Sequence, residues 1–161
     1  EDTFRYYRTK AREEDWEATS DKFILCRHIY IDETDQKARE HAEPAMGYFF
    51  TVFNRGFNEA INKDAVSQRL TAALTTERSF SYFREGNRER RDFSKLDWDG
   101  LLNTGYLIAG NPDSVARQIL DQMNQVGANH FMGMFHIGNL PHDKVVASLN
   151  LFKKEIMPRL H

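Results

Sequence analysis

From Tyr106 to His161 the chain switches twice between a short apolar run and a longer amphipathic stretch, and few folds accommodate that alternation. Leu107, Ile108 and Ala109 form an apolar run that stops at Gly110. Asn111 can then accept the free N–H groups of a helix start, and Pro112 fits the first helical position, where no donor is needed. Val115, Ile119, Met123 and Val126, with Leu120 beside them, predict a helix with one buried face, ended by Gly127. Phe131 to Ile137 shows no apolar/polar alternation until His136, which predicts an interior parallel strand covered on both faces. Val145, Val146, Leu149, Phe152 and Ile156 sketch the stripe of a last helix that Pro158 stops. Strand, helix, strand, helix in this order predicts a parallel α/β arrangement.

Upstream, Phe23 to Ile31 reads as one more strand. Thr34 is placed to cap a helix in which Ala38, Ala42, Ala45, Met46, Phe49, Phe50 and Phe53 form the apolar side, with a kink expected at Pro44. From Ser79 to Asn103 the pattern dissolves into Arg84-Glu-Gly-Asn-Arg-Glu-Arg-Arg-Asp with Phe80, Tyr82, Phe83, Phe93 and Trp98 around it. A loop this long in a compact domain is functional or disordered. It reads either as a solvated charge run or as an active-site lid.

The charges nearly cancel, 22 basic against 24 acidic among 161 residues, so nothing favours nucleic acid or an anionic membrane as partner. No apolar run approaches the ~20 residues that cross a bilayer, and no signal-like start is present, so a cytoplasmic domain is expected. Cys26 is the single cysteine, which excludes an internal disulfide and a cysteine-cluster metal site. Its apolar surroundings favour a buried structural thiol over a reactive one. His130 and His142 fit no metal spacing with a third ligand, and no metal is expected.

The pattern Gly110-x-Pro-Asp-x-Val, Gly127-x-Asn-His-Phe, Ile137-Gly-Asn-Leu-Pro-His and Ser148-Leu-x-Leu-Phe-x-x-Glu-Ile-Met-Pro-Arg-Leu resembles the carboxyl end of the luciferase-like flavin monooxygenases. Phe23-Ile-Leu-Cys-Arg-His-Ile-Tyr-Ile-Asp followed by Glu33-Thr-Asp-Gln-Lys-Ala-Arg-Glu resembles the family's sixth strand and the helix after it. The likeness spans nearly the whole chain except about 62–103. It implies a (β/α)8 TIM barrel, which takes roughly 250 residues. A chain of 161 residues with three strands, opening without methionine, is expected to be one domain, 1–161, holding the carboxyl-terminal portion of such a barrel: strands six to eight with their helices and a mobile loop at 79–103.

The resemblance also implies reduced FMN and molecular oxygen acting on an apolar small molecule, with a flavin reductase as supplier of reduced cofactor and a homodimer as a common assembly. A close variant uses a deazaflavin and hydride transfer. A different class of reading, a non-catalytic partial barrel serving as an interaction module, leaves sheet edges for a partner to cover. Because the resemblance places most cofactor contacts on the first five strands, this chain alone is expected to bind flavin poorly.

His136 stands near the carboxyl end of the last strand, where barrel enzymes gather site residues, and is the catalytic candidate; a histidine satisfied by a backbone carbonyl is the plain alternative. Asn139 lines the same mouth or simply forms a turn. Arg27 and His28, adjacent in a strand, must point to opposite faces, and are named as substrate-lining candidates alongside a structural salt-bridge role. Gly110 and Asn111 begin a helix that could meet a phosphate, although capping alone explains them.

Overall fold

The computed structural model describes residues 2–62 and 97–160, with side chains from 4 to 52 and from 97 to 160. Helix α1 (Asp2–Glu13) leads to strand β1 (Ile24–Ile31) and the long helix α2 (Asp35–Asn62); α3 (Trp98–Asn103), β2 (Leu107–Gly110), α4 (Pro112–Val126), β3 (His130–Met134) and α5 (His142–Leu151) follow. A π turn (Phe152–Ile156) and a 3-10 turn (Met157–Arg159) complete the described chain.

The three strands form one parallel sheet in the order β2-β1-β3. Three successive barrel strands would lie in chain order with the second in the middle. Here β1 is central, so the order differs from that expected of strands six to eight. The eight residues of β1 accommodate β3 against the amino-terminal half, Ile24 to His28, and β2 against the carboxyl-terminal half, His28 to Ile31.

Alternation along the strands sorts their side chains onto two faces. Ile29 and Ile31 of β1 and Ile108 of β2 pack against Val115, Ala116 and Ile119 of α4 and against Ile156. Tyr30, Leu107 and Ala109 pack on the opposite side against Ala38, Ala42, Ala45 and Met46 of α2 and against Trp98 and Leu101 of α3. The sheet is thus covered on both faces where β1 meets β2, and each aliphatic side chain fully buried there stabilises the fold by about 1.5–3 kcal/mol. A third cluster joins Ala11 of α1 to Phe23, Leu25, Val126 and Ala128. Arg8 secures it: its Nη2 donates to the Val126 and Gly127 carbonyls at 2.8 and 3.0 Å, and its guanidinium lies over the Phe23 ring.

The local signals in the sequence act as expected at most ends. Thr34 Oγ1 accepts from Lys37 N–H, and α2 continues through Pro44. Asn111 Oδ1 accepts from the Asp113 and Ser114 N–H groups, Pro112 opens α4, and Gly127 closes it in the left-handed region.

Three expectations are corrected. Strand β3 is not an interior strand covered on both faces: it forms an edge of the sheet, with Met132 52% and Met134 39% exposed. These two side chains, with Ile24 at 55%, lie on the α2 side of the sheet, beyond the part that α2 covers. The last helix buries Val145 and Ser148 while Val146 and Leu149 are exposed, so its stripe is rotated from the apolar pattern. Residues 98–103 are helical rather than loop, capped by Asp97, which accepts from Gly100 N–H, and anchored by Trp98 and Leu101. Residues 79–96, the remainder of the expected mobile loop, lie outside the described residues.

Candidate active site at the carboxyl ends of the strands

Because all three strands are parallel, their carboxyl ends open on one side, the side where α/β proteins keep their chemistry. The helices that follow β1 and β2 leave toward opposite faces of the sheet, which makes the gap between these two strands a topological switch point. Asp35, in the first turn of α2, fills it: Oδ1 accepts from Asn111 N–H at 2.7 Å and Oδ2 from the Ser114 hydroxyl at 3.2 Å. Gly110 permits this contact, since its φ is +145° and a Cβ there would stand 2.5 Å from Asp35 Oδ1. The start of α4 is therefore capped by Asn111 and faced by a carboxylate. It is unsuited to a phosphate, and capping explains Gly110 and Asn111.

Immediately after β1 lies a cluster that the sequence reading missed. Asp32 Oδ2 accepts from the Tyr30 hydroxyl at 3.0 Å and stands 2.8 Å from His41 Nδ1, while Tyr30 Oη and His41 Nδ1 are 3.4 Å apart. Burial opposes the charge on Asp32, but the His41 contact, the Glu33 N–H and the Tyr30 hydroxyl outweigh it and hold the carboxyl below its usual range. Burial raises the Tyr30 phenol, and the carboxylates of Asp32 and Asp143 raise it further. The tyrosine stays a neutral donor, and the cluster ties β1 to α2. A polar residue ending a strand nine positions before a histidine was its only trace in the sequence.

The sequence-derived candidates do not come together as one group. Arg27 and His28 point to opposite faces, as adjacent strand residues must. Arg27 turns toward α4, where Nε donates to Gln122 Oε1 and Nη1 to the Cys26 carbonyl, both at 2.8 Å. Burial draws its pKa down. Its partners are an amide and a carbonyl, so the recorded role is a structural fastening rather than a salt bridge.

His28 is different. It is 7% exposed, and its Nδ1 is buried with no hydrogen-bond partner among the described residues. Its ring packs 4.9 Å from Phe49 and 5.4 Å from Tyr106, and burial lowers its pKa, which keeps the imidazole neutral. An unpaired buried nitrogen costs about 1–3 kcal/mol, a cost that a structural histidine normally avoids. His136 and Asn139 are exposed beyond the end of β3, His136 outside any helix or strand and Asn139 in a turn. That turn approaches α2 closely: a Cβ on Gly138 (φ +51°) would stand 2.2 Å from the Ala45 carbonyl oxygen. Cys26 is half-buried rather than fully buried. Among the described residues no three His, Cys, Asp or Glu side chains form a metal-binding group, and no helix is long and apolar enough to cross a membrane.

No family model matches the chain, and no curated protein matches it. Solved structures do. Monooxygenase RslO1 from Streptomyces bottropensis aligns over 99% of this chain and 37% of its own, with a TM-score of 0.57 at 16% identity. A type II Baeyer-Villiger monooxygenase, the oxygenating constituent of 3,6-diketocamphane monooxygenase from the CAM plasmid of Pseudomonas putida, solved in complex with FMN, aligns over 96% of this chain and 38% of its own, with a TM-score of 0.57 at 15% identity. The chain shares part of the fold of these monooxygenases. It spans less than two fifths of the length of either.

Proposed function

We propose that the chain forms part of a flavin-dependent monooxygenase of the luciferase-like group, one that uses reduced FMN and molecular oxygen to oxidise an apolar small molecule. The observation that carries this reading is the fold likeness, over nearly the whole chain, to two monooxygenases, one of them in complex with FMN. In this reading the parallel sheet is part of a barrel-like wall, although its order β2-β1-β3 is not that of three successive barrel strands. The exposed side chains of Ile24, Met132 and Met134 then face the substrate and the flavin ring.

The residues present fit the cofactor in part. His28 offers a neutral, unpaired ring nitrogen beside an apolar surface, suited to a flat heterocycle or a carbonyl substrate. Among the described residues the start of α4 offers the flavin phosphate no cradle, since Asn111 and Asp35 occupy it. Bound FMN supplies the redox chemistry with oxygen. The chain's own residues orient the ring through His28 and shed water from its apolar side. His136 and Asn139 stand at the mouth, where they contact substrate, and a flavin reductase supplies the reduced cofactor.

The test is made on the full-length gene product: flavin absorbance after purification, and oxygen uptake with an added flavin reductase across a panel of apolar ketones and aldehydes. Bound flavin with substrate-dependent oxygen uptake supports the reading. Activity with a reduced deazaflavin but no oxygen uptake moves the assignment to the related oxidoreductases. A flavin-free product inert in both assays overturns it. The exposed apolar strip favours one second reading, a partial barrel that serves as an interaction module. That module would be captured by its partner in the absence of flavin.

A further inference from the structure

Register places four soft or borderline donors on one patch of the sheet. Cys26 pairs with Met132, and His28 pairs with Met134. Strand alternation puts all four side chains on the same face. Paired residues sit on strands about 4.8 Å apart, and the two pairs are separated by about 6.6 Å along the strands. The thioethers have three rotatable bonds each and swing across gaps of this size.

The state of each donor fits a ligand role. Cys26 is a free, half-buried thiol. Met132 and Met134 are 52% and 39% exposed, large apolar side chains that the described fold leaves uncovered. Among the described residues His28 Nδ1 is buried without a partner and has no hydrogen bond to surrender. Ile24 flanks the patch on the same face, also exposed.

The geometry points to a binding site for a soft univalent metal ion, Cu(I), held by the Cys26 thiolate, the Met132 and Met134 thioethers and the His28 imidazole. Thiolate and thioether ligands select Cu(I), whereas carboxylates and carbonyls serve harder ions. Charge argues the same way. Binding removes one proton from the Cys26 thiol and forms a sulfur–copper bond, so thiolate and Cu(I) cancel and the occupied site is neutral. A divalent ion on the same ligands leaves a net positive charge on an apolar surface, which is unfavourable. No electron transfer is involved, because the metal enters already reduced.

This inference does not rest on the monooxygenase reading: His28, Met132 and Met134 are the residues which that reading turns toward flavin and substrate, so a bound Cu(I) ion and those ligands exclude one another, and the test contains no flavin. The reduced, metal-free chain is titrated anaerobically with Cu(I) against a bicinchoninate competitor, with Ag(I) as a redox-inert probe. One ion bound per chain, one proton released and an ultraviolet thiolate-to-copper band are the expected results. The double variant Met132→Leu/Met134→Leu keeps the apolar volume at exposed positions, and it should weaken Cu(I) binding by more than about tenfold, equivalent to 1.4 kcal/mol. Cys26→Ser should abolish the ultraviolet band, and His28→Gln should weaken binding without removing that band. Failure of the wild type to compete with bicinchoninate overturns the proposal. So does equal affinity in the double methionine variant, which would reveal an ordinary surface thiol, or tighter binding of Zn(II) than of Cu(I).

Discussion

Ser148 has no place in an apolar stripe, yet it is fully buried in α5, and its removal gives a sharp test of how β1 ends. Asp32 N–H donates to the Gly110 carbonyl on the β2 side, so Ile31 N–H, one residue earlier, points to the opposite edge. The pairing with β3 has already stopped at His28 and Met134. Ser148 Oγ takes the vacant acceptor place, 2.9 Å from Ile31 N. Ser148→Ala deletes that acceptor and leaves a buried amide unpaired, at a cost of about 1–3 kcal/mol. For a chain of this size each kcal/mol lowers Tm by roughly 2–4 °C, so a fall of roughly 4–8 °C is expected for about 2 kcal/mol. Thermal unfolding followed by circular dichroism measures it, with the exposed Leu149→Ala as a control that should stay within about 0.5 kcal/mol of the parent. Amide exchange at Ile31 should accelerate in the same variant. A Ser148→Ala protein as stable as the Leu149→Ala control would refute the argument.

His28→Leu removes an unpaired buried nitrogen and should raise Tm while reducing oxygen uptake by the full-length enzyme; a loss of both stability and activity would mark His28 as a structural residue instead. Its depressed pKa means the unfolded chain takes up the proton first, near the ordinary value of about 6.5. Acidification through that value should therefore destabilise the parent more than His28→Leu, as a urea series across pH would show. The Asp32 carboxyl, held below its ordinary value of about 3.9, contributes stability that is present above that pH and is lost as pH falls through the lower folded value; Asp32→Asn should flatten this acid limb. Asn111→Ala strips two N–H partners from the start of α4 and should cost about 0.5–2 kcal/mol by chemical denaturation. Gly110→Ala, with its Cβ driven onto Asp35, should destabilise at least as much, and relief of the loss by a second change, Asp35→Gly, would confirm the clash.

Much of the α/β pattern was legible because its signals are local. Thr34, Asn111, Pro112 and Gly127 act within a turn of their own positions, and hydrophobic spacing located all three strands and the helices α2 and α4. Sheet order was not legible, since it depends on pairings between segments 79 or more residues apart, His28 with Leu107 and Ile24 with His130. Ser148 misled the stripe of α5 because hydropathy treats a hydroxyl as wet, whereas here it completes a strand. Trp98 read as a loop aromatic because six residues are too few to show a helical period. In the candidate site, the opposite facing of Arg27 and His28 followed from strand geometry alone. The partners did not: Gln122 for Arg27 and Phe49 and Tyr106 for His28 come from distant segments. The Tyr30, Asp32 and His41 cluster stayed hidden for the same reason, as its members meet only where a strand end passes a neighbouring helix.

A central strand made early, flanked by two strands made late, fixes the order in which the molecule can assemble. β1 is made well ahead of its sheet partners, which follow 79 residues later for the His28–Leu107 pair and 106 residues later for the Ile24–His130 pair. Until they arrive, the stretches of β1 that they cover lack these partners beside Leu25, Ile29 and Ile31, and unpaired strand edges are prone to pairing with other chains. Contacts so distant in sequence slow folding, since loop closure must precede the gain from pairing. Expression yield should therefore be sensitive to whatever shields β1 during that interval, and Arg8, which brings α1 onto the Phe23 ring just ahead of the strand, is one such shield already made when β1 emerges.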